Sequence, residues 1–168
     1  MMKTFNFIDY EKGGYKMYLY EELLTETANN NLIVKEKDLQ GRDELIKENR
    51  IAIRTDLTNT QKSCVLAEEL GHYHMNVGNI LDLTDQNNVK QEYLGRMWGY
   101  NRLIGLIGII KAYEAGCQTK YEIADFLNVT EDFFSEALET YTHKYGVCTV
   151  LNNYTIYFLP CLGVMKMV

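Results

Sequence analysis

The stretch Leu66-Ala67-Glu68-Glu69-Leu70-Gly71-His72 restricts this chain more than any other part of it. Glu68 and His72 are four residues apart, a spacing that on a helix sends both side chains out from one face, where they can meet on a single ion. The pattern is that of the H-E-x-x-H zinc signature with Glu68 in place of the first histidine. Glu69 lies about 100° further round the helix, as a general base that must reach water beside a metal should. Carboxylate oxygen is an accepted zinc ligand, but an anion in place of a neutral imidazole leaves the metal less electron-poor. A weaker Lewis acid is expected. Thr58 with Gln61 three residues on forms a capping box that starts this helix, and Gly78 is placed to end it.

Two ligands on one helix do not make a catalytic zinc site, which needs a third protein ligand and an open position for water. A second long helix is expected after Asn87-Asn88, running through Glu92, Met97, Trp98 and Leu103. Packed against the first, it can aim Glu92 at the ion, so Glu68, His72 and Glu92 form the expected ligand set. Cys64 lies one turn before Glu68, but a small buried cysteine more often fills a helix core. His74, two positions beyond His72, points elsewhere and is read as a surface or packing residue. Tyr93 and Tyr100 are candidates for a substrate groove, while Trp98 is read as core.

Around these helices, a short amphipathic helix is expected from Tyr18 to about Asn29, then a strand at Leu32 to Val34. Leu45 to Lys47 and Arg50 to Arg54 predict a hairpin, and Arg50 to Arg54 is a candidate edge strand for holding substrate backbone. Gly105 and Gly108 leave open whether the second long helix continues toward Tyr113. Thr119 with Glu122 opens a helix from Tyr121 to Leu127, Thr130 caps another that ends near Gly146, and Val147 to Leu159 closes the chain as a hairpin. Residues 1–16 carry no clear period and include Gly13-Gly14, so they are read as an extension to a domain spanning 17–168.

A chain of 168 residues is enough for one domain with a real core. Its net charge of -6 argues against a nucleic-acid surface, which needs clustered Lys and Arg. The pair of helices between Tyr121 and Leu138 has a helix-turn-helix look. Asp125, Glu131, Asp132, Glu136 and Glu139 nevertheless make it a packing element or a protein-docking surface rather than a DNA reader. Cys64, Cys117, Cys148 and Cys161 show no C-x-x-C spacing, and neither a signal peptide nor a membrane-length apolar run is visible, so a cytoplasmic setting is expected.

The motif helix together with Gly78-Asn79-Ile80, Asn88-Val89-Lys90-Gln91-Glu92 and Trp98-Gly99-Tyr100 resembles the ImmA/IrrE family of metallopeptidases, particularly its phage and prophage members. The likeness runs from about Met17 to Met167. It implies a small zincin-like α+β fold, mostly helical with short β-hairpins, in which His72 is the second zinc histidine, Glu69 the general base and Glu92 the third ligand. Glu68 stands where the strict motif has histidine. The likeness also implies a zinc-dependent endopeptidase that cleaves a helix-turn-helix repressor. The alternative is a non-catalytic antirepressor or toxin-antitoxin partner that binds a regulator through a degenerate metal site.

Overall fold

A computed structural model describes residues 19–39, 43–47, 49–76 and 85–167. The expected extension 1–16 and the helix stop at Gly78 lie outside the described residues. The first helix, α1 (Leu19–Asn29), buries Leu19, Tyr20, Leu23 and Thr27, a one-sided spacing of the kind that the sequence pattern predicts. Asn31, at φ 58, turns the chain out of it, a left-handed conformation that asparagine tolerates better than most residues. Three strands follow: β1 (Ile33–Lys37), β2 (Glu44–Lys47) and β3 (Arg50–Arg54).

The β2–β3 hairpin forms with Glu44 opposite Ile53 and Lys47 opposite Arg50, and β3 buries Ile51 and Ile53 on one face. β1 also pairs with β3, in parallel, so the order is β1-β3-β2. This corrects the reading of Arg50 to Arg54 as an edge. β3 is the central strand, with both of its sides already paired, and among the described residues the outer edges belong to β1 and β2.

The motif helix is α2 (Asn59–Asn76). Its capping box is made: the Thr58 N–H donates to Gln61 Oε1 at 2.9 Å and the Gln61 N–H to Thr58 Oγ1 at 3.2 Å. The next helix, α3 (Asp85–Leu103), is already helical at Asp85, two residues before the expected Asn87-Asn88 boundary. The weak helix preference of asparagine is overridden by the packing of the rest of the helix. Gly105, at φ 57, then breaks the helical path, and Leu106 to Glu114 continue as a separate helix, α4 (Gly105–Glu114).

Both later caps are also as the sequence indicates. Thr119 and Glu122 form a reciprocal capping box on α5 (Lys120–Leu127), and Thr130 accepts from the Phe133 N–H to open α6 (Glu131–Tyr145), which Gly146 ends. Together α5 and α6 place Ile123, Ala124, Leu127, Phe133, Phe134, Ala137, Leu138 and Tyr141 in the core. Thr60 Oγ1 of α2 donates to Asn128 Oδ1, in the turn between α5 and α6, at 2.9 Å. The helix pair is therefore a packing element. β4 (Cys148–Leu151) and β5 (Tyr154–Tyr157) make the closing hairpin, and β6 (Gly163–Lys166) adds a third strand that the sequence did not announce, because its half-exposed residues show no alternation.

The result is a small α+β domain, and no helix among the described residues is long and apolar enough to cross a membrane. Its most extensive contact is between α2 and α3, the two helices that carry the motif residues.

Candidate metal centre

The α2–α3 seam is built from small residues on both helices. A Cβ on Gly71 would lie 2.1 Å from the backbone oxygen of Gly95, and one on Gly99 would lie 3.1 Å from that of Ala67. Gly95 and Gly99 on one helix, with Ala67 and Gly71 on the other, are each four residues apart and so fall on facing stripes. Backbone lies against backbone, which brings side chains that flank the stripes within reach of each other. A Cβ on Gly95 would fall 2.5 Å from His72 Nδ1, so the imidazole ring rests in the space this glycine leaves.

His72 Nε2 faces Glu92 Oε2 at 3.5 Å, so two of the three expected ligands converge across the seam. The other oxygen of Glu92, Oε1, accepts from Arg96 Nε at 2.8 Å. Glu68 lies one turn before His72 on α2, within electrostatic range of Arg96, Glu136, Glu44 and Glu92. Among the described residues, no three His, Cys, Asp or Glu side chains are gathered closely enough to hold a metal ion. The structure thus brings His72 and Glu92 together and leaves Glu68 beside them.

Glu69 is buried, and its Oε2 has no hydrogen-bond partner among the described residues. An ionised carboxylate in such a place is costly unless something compensates it. Burial pushes the Glu69 carboxyl up to about 8, and the charges of Glu44, Glu68 and Glu92 add to the effect. Burial likewise pushes Glu68 up to about 7, opposed by the Arg96 guanidinium and reinforced by Glu136, Glu44 and Glu92. Carboxylates in excess of nearby cations, an orphaned oxygen and a facing imidazole form a set of oxygen and nitrogen donors that suits a divalent cation. The donor types fit such an ion, with His72 and Glu92 already facing each other and Glu68 one turn away, not yet gathered with them around one point.

In the metal-free chain these shifts have a consequence for stability. Unfolded, both carboxyls return to the ordinary 4.5, so between about pH 4.5 and pH 8 the folded chain holds protons that the unfolded chain has released. The contribution is fully present below the unfolded value and is lost as pH rises through the folded values. The thermal midpoint of the metal-free protein is expected to fall from pH 5 to about pH 8, and Glu69→Gln should flatten that fall. Melting curves across this range in a chelator check it, and an equal slope in both proteins would refute the assignment.

The remaining candidates fall elsewhere. Cys64 is buried, hydrogen-bonded to Thr130, and pushed up to about 12 by burial, which makes it a packing thiol. His74 packs at a tilt against Trp98 of α3, with ring centroids 4.7 Å apart, and its Nε2 lies 3.5 Å from Glu26 Oε1 on α1, so it serves packing. Trp98 packs against the core. Tyr100 is buried with its hydroxyl donating to Glu136 Oε2 at 3.1 Å, whereas Tyr93 is exposed and remains available to a groove.

Three residues at the centre were missed by sequence reasoning: Gly95, Arg96 and Glu44. Arg96 had a readable signal, the four-residue spacing from Glu92 that suits a helical ion pair. Gly95 had one too, the four-residue spacing from Gly99. Glu44 reaches the centre through the sheet and left no local trace.

A family model described as the IrrE N-terminal-like domain, Peptidase_M78, matches residues 27–139, from the end of α1 well into α6. No curated protein and no solved structure matches the chain.

Proposed function

Since the chain belongs to the Peptidase_M78 family of IrrE N-terminal-like domains, we propose that it is a zinc-dependent endopeptidase whose substrate is a helix-turn-helix repressor, acting in the cytoplasm. The observation that carries this reading is the convergence of His72 and Glu92 near the buried Glu69, whose Oε2 has no hydrogen-bond partner among the described residues. Glu68, His72 and Glu92 would hold the ion. When bound, zinc supplies Lewis acidity toward water and toward the peptide carbonyl.

The chain's own residues do the rest. Glu69, raised to about 8 in its buried position, is matched to proton transfer near neutral pH. It takes a proton from the attacking water and passes it to the leaving amine. β2 is an edge strand among the described residues and begins at Glu44, whose charge reaches Glu69, so an extended substrate added to that edge would run past the base. We read the exposed Tyr93, one residue beyond Glu92 on α3, as a contact for substrate side chains.

One observation favours the second reading, a non-catalytic antirepressor or toxin-antitoxin partner: Glu68 is not gathered with His72 and Glu92 into a three-ligand group. Cleavage decides between the two. Purified chain with about one equivalent of zinc should cut a helix-turn-helix repressor at a discrete site, and His72→Ala should lose both zinc and cutting. A repressor left whole by metal-replete protein, yet bound by it, would establish the second reading instead.

A further inference from the structure

The ion pair between Arg96 and Glu92 lies at the α2–α3 seam, where Glu92 is a ligand of the proposed centre and Arg96 neither binds the ion nor moves a proton. Arg96 Nε donates to Glu92 Oε1 at 2.8 Å, while Glu92 Oε2 is the atom that faces His72 Nε2 at 3.5 Å. One carboxylate oxygen is engaged by the guanidinium and the other is presented to the imidazole. Glu92 is half exposed, so without that bond its side chain has several rotamers open to it, and ordering it on metal binding costs free energy. Arg96 sits one helical turn beyond Glu92, and Gly95, immediately before it, leaves the space in which the His72 ring lies.

We propose that Arg96 is a positioning residue for the metal centre, holding Glu92 with one oxygen turned to His72 before any ion arrives. The proposal rests on the metal reading above. Two physical effects of Arg96 oppose each other, which makes the idea testable by sign. As a charge, a guanidinium near the carboxylates repels a divalent cation, so removing it would tighten metal binding. As a hydrogen-bond donor to a ligand, it orients that ligand, and the loss of such partners typically weakens metal affinity by about 10–100-fold. The geometry favours the second effect, since the bond is short and the exposed position of both groups screens the charge. The same exposure means that the pair adds little to folding, so its loss spares the fold.

The test is zinc affinity, measured by competition with a chromophoric chelator, with the metal-free thermal midpoint as a second readout. Arg96→Leu should bind zinc about 10–100-fold more weakly with its metal-free midpoint unmoved. Arg96→Lys, which keeps the charge but not the planar fork, should recover part of the loss. In a Glu92→Gln background Arg96→Leu should cost little more, because the ligand it positions has already been altered. Zinc bound by Arg96→Leu as tightly as by the unaltered chain, or more tightly, overturns the positioning role and leaves the metal centre standing. Failure of the unaltered chain to bind zinc overturns both.

Discussion

If the chain is the zinc endopeptidase proposed, Glu69→Gln should lower the rate of repressor cleavage by about 10²–10⁴-fold while leaving the fold and zinc binding in place. Glutamine keeps the size of the side chain but cannot accept a proton, and no ligand role is assigned to Glu69. The buried site should tolerate the change, because Oε2 has no hydrogen-bond partner among the described residues to lose and a neutral amide avoids the cost of a buried charge. Co-expression with the repressor supplies the measurement: cut repressor with the natural chain, intact repressor with Glu69→Gln. The same pair of proteins separates enzyme from binder. If both relieve repression equally with the repressor uncut, the chain acts by binding, and the α2 motif is the remnant of an active site.

The parts of this molecule that were readable in the sequence are those in which local chemistry decides. Thr58 with Gln61, Thr119 with Glu122, and Thr130 each satisfy backbone N–H groups within one turn, so they mark helix starts independently of the rest of the fold. The spacing of Glu68 and His72 likewise needed only the helix to be legible. What escaped was set by contacts distant in sequence. That β3 is central follows from the parallel pairing of β1 across it, a partnership that no residue of β3 encodes alone. β6 takes its place from pairing with β5, with only half-buried side chains to show for it.

The centre divides along the same line. His72 and Glu92 could be proposed as partners because a second long helix had to pack on the first, and the structure places them face to face. How closely the helices approach was not foreseen, because it depends on Gly71, Gly95 and Gly99 meeting across the seam, where the absence of side chains matters more than their chemistry. Glu44 joins through the sheet and raises Glu69 by its charge, a relation that only the assembled fold reveals.

That seam gives the largest expected effect on stability. A methyl group on Gly71 would lie 2.1 Å from the Gly95 oxygen and 2.9 Å from its carbonyl carbon, and both are backbone atoms that cannot rotate away. The helices must move apart. Gly71→Ala gains about 1 kcal/mol from helix preference, but overpacking costs about 1–3 kcal/mol, and because backbone atoms must shift here the upper end applies, a net loss of about 2 kcal/mol. For a chain of this size, that is a fall of roughly 4–8 °C in thermal midpoint. Gly99→Ala, whose nearest contact is 3.1 Å, should cost less, and Gly163→Ala, with nothing within 4 Å, should cost nothing. Gly95→Ala is different in kind, because its new methyl would meet the His72 imidazole at 2.5 Å, and a side chain can turn aside. It should therefore spare stability better than Gly71→Ala while weakening zinc binding, since the displaced ring no longer faces Glu92. Thermal melts and zinc titrations on the four variants check this order. A Gly71→Ala protein that melts with the unaltered chain would show that the helices do not touch backbone to backbone, and the convergence of His72 with Glu92 would lose its structural basis.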